Sequence, residues 1–271
     1  MGDVNQEELK RRVRDYWDQQ ACGTYISRSP KYTREYFDSI EAHRYSLEPE
    51  IFSFAQFTRF SGQRVLEVGI GAGTDFLQWV RAGAKAYGID LTAEAIEHAN
   101  HRLQVYGLKA EEIRIADCEA LPYEDNTFDL VYSWGVIHHT PDTQKALQEI
   151  IRVCRPGGIC KIMVYHRHSM VAFYLWVKQA LLKFRPWKTY SWCLYHYMES
   201  LGTKAFTPGE IRSMLRDCQV ENVRINPSLT YYDQLGNHGK VVRTVAGILA
   251  AILGGNRVGW FMLIQFSKRN A

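Results

Sequence analysis

A glycine-rich segment at residues 67–73, with the sequence EVGIGAG, constrains the fold of this chain more than any other feature. It follows the short apolar run at 64–66, and the residues after it, 74–82, favour a helix. Glycine permits a tight turn and lets a ligand approach the backbone without a Cβ in the way. The unpaired N–H groups at the start of the next helix attract anionic or polar groups. This order of strand, turn and helix predicts a site for a nucleotide-type cofactor.

The spacing of the glycines indicates which cofactor classes fit. A dinucleotide fingerprint reads G-x-G-x-x-G/A, but counting from Gly69 places Thr74 at the last position, and counting from Gly71 places Phe76 there. A phosphate-binding P-loop needs G-x-x-x-x-G-K-[ST], and the sequence contains no such string. The remaining pattern is E-x-G-x-G-x-G, which also occurs in turns that bind nothing. The residues downstream have to decide between a cofactor site and a plain turn.

The downstream sequence continues the alternation of strands and helices. Residues 84–90 read as a second strand that ends at Asp90, where a carboxylate can accept hydrogen bonds from both ribose hydroxyls. Thr92 can cap the next helix, at 93–106. Three more strands follow, around 113–116, up to Ser133 and at 159–165. Strands that alternate with helices in this way predict an α/β fold.

Several motifs of the chain occur in the order of a known family. They are EVGIGAG at 67–73, the acid at 90, DCEALP at 117–122, NTFDLVYSWGVIHHTPD at 126–142 and RVCRPGG at 152–158. In these motifs the chain resembles the class I S-adenosylmethionine-dependent methyltransferases, and most closely the small-molecule branch that includes the ubiquinone and menaquinone biosynthesis methyltransferases. The resemblance implies a Rossmann-like α/β fold: a seven-stranded, mostly parallel sheet with helices on both faces, N-terminal helices and a helical lid insertion.

The same resemblance divides the chain into four parts. Residues 1–59 would form an N-terminal helical cap, 60–166 the cofactor-binding core, 167–206 a helical lid insertion, and 207–271 the C-terminal part of the core. An amphipathic helix is predicted in the cap, because apolar side chains recur at helical spacing: Leu9, Val13, Tyr16 and Trp17.

The C-terminal part begins with a strong helix signal. Thr207 and Glu210 have the spacing of a capping box, and Pro208 stands at the first helical position. A helix is therefore predicted through Arg216. Two further strands are predicted, at 220–225 and 260–266. The resemblance implies that the final strand is antiparallel.

The resemblance also implies S-adenosylmethionine as the cofactor. The glycine-rich segment would hold its methionine part and ribose, through Glu67, Gly69, Gly71 and Gly73. Asp90 would accept hydrogen bonds from the ribose hydroxyls. These five residues would form the part of the cofactor site that lies at the ends of the first two strands.

Later residues would complete the cofactor site. Leu91 would pack on the adenine, Asp117 would bind the adenine amino group, and Cys118 would contribute its backbone amide. The end of the fourth strand would contact the methionine end and face the acceptor, through Ser133, Trp134 and Gly135. Asp117 could instead be a plain loop acid.

Aromatic faces attract a sulfonium cation. Tyr16, Tyr25 and Trp134 are candidates for such a wall, although all three could equally pack in the core.

A general base would help if the acceptor is a hydroxyl or an acidic carbon, and histidine titrates nearest to neutral pH. The candidates are His138, His139 and His43, and one of the two adjacent histidines could be structural. No third ligand has useful spacing, so we expect no metal site.

Composition excludes some partners. The chain has 271 residues, 46% apolar content and a net charge of +4, without a dense Lys/Arg block, so we expect no nucleic-acid binding. Its six cysteines form no C-x-x-C pair, which favours reduced thiols in the cytoplasm. The polar start of the chain does not read as a signal peptide.

Two apolar stretches bear on the acceptor. Residues 171–187 are rich in aromatic and aliphatic side chains with basic residues among them, and 241–253 are nearly all apolar. Such segments can lie on a membrane surface, roof an apolar pocket or form a contact in a homodimer, and a monomer is also compatible.

The sequence as a whole predicts a methyltransferase that acts on a small hydrophobic or amphiphilic acceptor, at oxygen or carbon rather than nitrogen. Two alternatives stay open. One is a nicotinamide-dependent oxidoreductase, and the other is a non-catalytic protein that binds the cofactor and serves in assembly or regulation.

Overall fold

The computed structural model describes residues 5–19, 23–235 and 254–270, together with positions 244, 247, 248 and 252. The strands are β1 (Arg64–Val68), β2 (Lys85–Asp90), β3 (Glu112–Ile115), β4 (Phe128–Trp134), β5 (Cys154–Tyr165), β6 (Val220–Ser228) and β7 (Phe261–Lys268). The α-helices are α1 (Gln6–Gln19), α2 (Arg34–Leu47), α3 (Glu50–Ala55), α4 (Thr74–Arg81), α5 (Ala93–Val105), α6 (Thr143–Val153), α7 (Met170–Trp176), α8 (Tyr190–Tyr197), α9 (Pro208–Leu215) and α10 (Gly255–Val258).

The strands form one seven-stranded sheet in the order β3-β2-β1-β4-β5-β7-β6. Neighbouring strands are parallel from β3 to β5, whereas β7 runs antiparallel to both β5 and β6. This confirms the predicted fold class and the antiparallel final strand. The strand order reverses between β1 and β4, and in open α/β sheets a crevice for ligands forms at the carboxyl ends of the strands at such a point.

Side chains of β1 alternate between two apolar cores, one on each face of the sheet. Leu66 and Val68 pack into the core that contains much of α6 and α9, and Val65 faces the other core with Trp79 of α4. All four side chains are fully buried. Because both faces of the sheet are covered, the polar carboxyl edge is where a ligand can approach these strands.

Most predicted elements form close to their expected bounds, and β5 is the main difference. It begins at Cys154 rather than at 159, because Cys154 pairs with Phe128 of β4 and a bulge takes up the residues before Ile159. The predicted capping box is present: Thr207 Oγ1 accepts the Glu210 N–H at 3.2 Å, and Glu210 Oε2 accepts the Thr207 N–H at 2.7 Å.

The first α-helix of the lid is shorter than the apolar sequence suggests. α7 ends at Trp176 and continues only as a π-helical turn, Val177–Leu181, before α8. Two predictions concern residues outside the described ones: the thiol of Cys22 and most of the apolar stretch 241–253. The five described cysteines are free thiols: Cys118, Cys154, Cys160, Cys193 and Cys218.

Candidate active site

A cavity of about 390 Å³ opens at the carboxyl edge of the sheet, where β1 and β4 diverge. The turns after β1, β2, β3 and β4 form its floor, and α1, α2 and the lid contribute its cover. Its size lies within the usual range of small-molecule sites.

The glycine turn forms the floor of the cavity beneath β1 and β2. Gly69 has a φ of 81°, and a Cβ there would lie 2.2 Å from Val136 Cγ2, so only glycine fits. Asp90 Oδ2 accepts the Gly71 N–H at 3.0 Å, which ties the end of β2 to the turn. Arg102 Nε donates to the Ala72 carbonyl at 2.9 Å from the other side. The turn is therefore fixed before any ligand binds.

Two buried carboxylates stand at the ends of these strands. Asp90 Oδ1 accepts the Thr92 N–H at 3.0 Å and the Thr92 hydroxyl at 2.9 Å. Burial raises the pKa of Asp90, while its hydrogen bonds oppose the shift. Glu67 accepts the Trp79 Nε1–H at 2.9 Å, and burial together with the charge of Asp75 raises its pKa well above the usual range.

The adenine-side residues predicted from the sequence meet α1. Lys10 Nζ lies 2.6 Å from Asp117 Oδ2 and 2.8 Å from Glu119 Oε2. Burial raises the pKa of the neighbouring Cys118 thiol to about 12, so it is a thiol and not a thiolate near neutral pH. Lys10 was not predicted, because the sequence of α1 does not show which of its cationic side chains reaches a strand end more than a hundred residues away.

Most predicted site residues line this one cavity. They are Glu67, Gly69, Gly71, Asp90, Leu91, Asp117, Cys118, Trp134, Gly135, Tyr25, His43 and His139. The fold thus gathers residues from the cap, four strand ends and the segment after β4.

Four predicted residues lie off the cavity lining: Gly73, Ser133, His138 and Tyr16. Gly73 caps α4 and packs against Ala99. The Ser133 side chain is fully buried. It points to the opposite face of β4 from Trp134, because neighbouring side chains alternate along a strand. Direct contact with a ligand is not expected from these positions.

His138 and Tyr16 have other neighbours. The His138 ring is fully buried and lies 4.0 Å from the Tyr165 ring, centroid to centroid. Tyr16 is 44% exposed and packs edge-on against Trp17, and it is Trp17 that lines the cavity.

The two adjacent histidines are poor bases in this setting. Burial and the charge of Lys204 lower the pKa of His139 to about 3, and burial together with the charges of His139 and Lys204 holds the pKa of His138 well below its usual value. His139 Nδ1 lies 2.9 Å from Ser200 Oγ and 3.1 Å from Thr203 Oγ1. Both imidazoles are therefore neutral near pH 7.

Glu199, which the sequence did not single out, lines the same cavity. Its Oε2 accepts the Tyr165 hydroxyl at 3.0 Å and lies 3.6 Å from His139 Nε2. Burial and the charge of Glu48 raise its pKa, yet 39% of its side chain is exposed. One feature of the sequence could have drawn attention to Glu199: it is the first acidic residue after Glu149.

Aromatic rings surround this end of the cavity. The Tyr165 ring stacks on Trp260 at 4.1 Å, and Trp134 packs edge-on against Phe261 at 5.6 Å. All four rings are at least nine-tenths buried. The Trp134 Nε1–H donates to Glu48 Oε2 at 2.8 Å. This end of the cavity is thus an apolar chamber with carboxylates in its wall, and it is called the acceptor end below.

No group of three or more His, Cys, Asp or Glu side chains suited to a metal ion occurs among the residues that the structure describes.

Comparison with known proteins bears on what this cavity does. Residues 66–162 match a protein family described as a methyltransferase domain. Residues 66–162 form a methyltransferase domain. This confirms the resemblance to class I methyltransferases that the motifs predicted, in the part of the chain that carries β1 to β5.

Curated relatives match part of this chain. The uncharacterized protein Rv1405c of Mycobacterium tuberculosis is 39% identical over 97 residues, which is 36% of this chain and 35% of the relative. The demethylmenaquinone methyltransferase of Bacillus mycoides is 30% identical over 154 residues, 53% of this chain and 62% of the relative. The chain therefore spans less than two thirds of the length of either relative.

A solved structure extends the likeness of fold beyond the methyltransferase domain. The phosphoethanolamine N-methyltransferase 2 of Haemonchus contortus, solved with phosphomonomethylethanolamine and S-adenosylhomocysteine, superposes with a TM-score of 0.60. It is 16% identical, and the match covers 95% of this chain and 60% of that chain. The cap and lid around the methyltransferase domain thus belong to a shared architecture.

Proposed function

We propose that this protein transfers a methyl group from S-adenosylmethionine to a small hydrophobic or amphiphilic acceptor. The observation that carries the proposal is the single cavity in which the glycine turn, Asp90 and Asp117 meet the aromatic chamber around Glu199. One half of this cavity suits a polar nucleoside and amino acid, and the other half suits an apolar molecule. The methyltransferase domain supplies the glycine turn, Asp90 and Asp117 of the first half.

The residues of the first half fit the cofactor. Gly69 lets the turn pass close to Val136, because a Cβ there would lie 2.2 Å from Val136 Cγ2. Asp90 accepts one hydrogen bond from Gly71 and two from Thr92, which leaves one of the roughly four lone-pair sites of a carboxylate to accept from the ribose. Asp117 would accept from the adenine amino group with Lys10 beside it. When bound, the cofactor supplies a methyl group already activated on a sulfonium centre.

The chain's own task is then to hold the acceptor, exclude water and remove a proton. Buried rings of Trp134, Tyr165 and Trp260 keep the acceptor end dry, which favours direct attack over hydrolysis. A hydroxyl or acidic carbon loses a proton when it is methylated. We assign that proton to Glu199, because its carboxylate is accessible and its pKa is raised toward neutral pH.

Methylation at oxygen or carbon remains our preference. The printed name of the Bacillus relative, a demethylmenaquinone methyltransferase, agrees with an amphiphilic acceptor, whereas the Haemonchus enzyme is named as an N-methyltransferase. The apolar chamber supports the former class. We further propose a cytoplasmic location, on the ground of the free thiols.

One experiment separates this proposal from both alternatives. The protein is titrated calorimetrically with S-adenosylhomocysteine and with nicotinamide dinucleotides, and then incubated with methyl-labelled S-adenosylmethionine and a metabolite extract for mass spectrometry. A labelled product supports the proposal. Tight binding of a nicotinamide dinucleotide alone would establish the oxidoreductase, and cofactor binding without any labelled product would establish the non-catalytic role.

Asp90→Ala is expected to weaken binding of S-adenosylhomocysteine by about 1.5–3 kcal/mol, because charge-assisted hydrogen bonds to the ribose are lost. Isothermal titration calorimetry measures the change. Asp217→Ala is the matched control, since it removes an exposed carboxylate that does not line the cavity. Equal affinities of Asp90→Ala and the parent would remove Asp90 from the cofactor site.

A further inference from the structure

The lid is a helical hairpin with both ends at the cavity. Val171 near the start of α7 lines the cavity, as do Met198 and Glu199 just after α8. The hairpin tip, residues 181–187, runs from the end of the π-helical turn into the connection between the helices, and none of its residues lines the cavity. The helical path from Val171 to Leu181 is roughly 15 Å long.

The hairpin tip exposes large apolar side chains. All seven residues from 181 to 187 are exposed, with Leu182 at 69%, Phe184 at 88% and Trp187 at 72%. Phe184 has a φ of 55°, a conformation that bulky residues rarely adopt. The Trp176 Nε1–H holds the tip by donating to the Lys188 carbonyl at 2.7 Å. The fold therefore presents these side chains outward, at a cost in backbone strain and exposed apolar area.

The charge around the tip has one sign. No Asp or Glu occurs from 150 to 198, whereas Lys178, Lys183, Arg185 and Lys188 flank the exposed apolar residues. None of these four cations forms an ion pair with a carboxylate of the described residues. The surface is thus both apolar and cationic, although the chain as a whole carries a net charge of only +4.

We propose that the hairpin tip docks on the surface of an anionic lipid bilayer. Phe184 and Trp187 enter the headgroup region, where aromatic rings are favoured, and the four cations contact anionic headgroups. Among the described residues no helix has the length and apolar character to cross a bilayer, so the contact is peripheral. Such docking holds the cavity close to a surface where amphiphilic molecules collect, and it goes beyond the methyl transfer proposed above.

Vesicle flotation tests the docking without any turnover, so its result is independent of the proposed reaction. The full chain is mixed with vesicles of phosphatidylcholine alone or of phosphatidylcholine with one third phosphatidylglycerol. We expect flotation with the anionic vesicles only, and release at high salt because screening weakens the attraction. Equal flotation with both vesicle types, or with neither, overturns the proposal.

Paired variants locate the contact. Lys183→Gln with Arg185→Gln is expected to lower partitioning about 25-fold, roughly fivefold for each charge. The matched control is Lys85→Gln with Lys109→Gln, which removes the same charge from exposed sites on another part of the surface. An equal loss in both pairs would mean that only net charge matters, and would overturn the assignment to the tip.

A second copy of the chain is the competing occupant of this surface. Phe184→Ser with Trp187→Ser is therefore examined by flotation and by sedimentation velocity. Loss of vesicle binding with an unchanged oligomeric state supports the bilayer contact. A parent dimer that becomes a monomer in this variant, with vesicle binding unchanged, would show that the tip is a protein interface and would overturn the proposal.

Discussion

Replacing Glu199 by glutamine is expected to lower kcat by about 100-fold or more, the usual contribution of a positioned general base. Glutamine keeps the size of the side chain but cannot take the acceptor's proton. Cofactor affinity should change little, because the cofactor residues come from the strand ends rather than from the lid. Steady-state kinetics with the identified acceptor, together with calorimetry with S-adenosylhomocysteine, gives both quantities.

The pH profile distinguishes Glu199 from His139. Since the pKa of Glu199 is raised above its ordinary value of 4.5, the parent rate should rise with pH through that raised pKa, as the carboxylate form appears. The pKa of His139 is about 3, so its imidazole is neutral throughout this range and adds no rise of rate with pH. The rise of rate with pH should be absent in Glu199→Gln and retained in His139→Gln.

Two further variants guard against a purely structural effect. Glu199→Gly should regain part of its activity when formate is added, because a free carboxylate can occupy the space and accept the proton. Glu221→Gln, which removes an exposed carboxylate on β6, should behave as the parent. An unchanged kcat in Glu199→Gln, or a loss that formate cannot restore, would refute the assignment.

Most residues predicted for the cofactor lie together along one cavity, and the reason is local geometry. Gly69 and Asp90 stand at the ends of consecutive parallel strands, and parallel strands bring their carboxyl ends to one edge. The alternation of β4 could have refined the prediction further. Ser133 and Trp134 are adjacent in a strand, so they face opposite sides, and only one of them can line the cavity.

The acceptor side could not be predicted in the same way, because it depends on contacts between distant segments. Glu48 meets Trp134 and Tyr232 only after the cap and the C-terminal part pack together. Glu199 meets Tyr165 across the lid. No periodicity or short motif encodes such pairs. A histidine near a strand end reads as a general base in the sequence, but its burial in the folded chain decides its pKa.

Asp75→Ala is expected to lower the free energy of unfolding by about 3–5 kcal/mol, since it breaks an ion pair whose carboxylate is buried and removes the acceptor of four hydrogen bonds. The Asp75 side chain is 2% exposed. Its oxygens accept from Arg44 Nε at 2.9 Å and Nη2 at 2.8 Å, and from the hydroxyls of Tyr45 and Tyr132 at 3.1 and 3.2 Å. Urea unfolding measures the loss, and Asp217→Ala at an exposed site should change stability by less than about 0.5 kcal/mol.

A double-mutant cycle shows whether the loss comes from the pair itself. Arg44→Leu and Asp75→Leu should each destabilise the protein, because each breaks the same ion pair, whereas the double variant should lose less than the sum of the two. Arg44 also lies 3.8 Å from Glu48 in the cavity wall, so the pair connects the cap to the acceptor chamber. Additive losses would mean that the two side chains stabilise the fold separately.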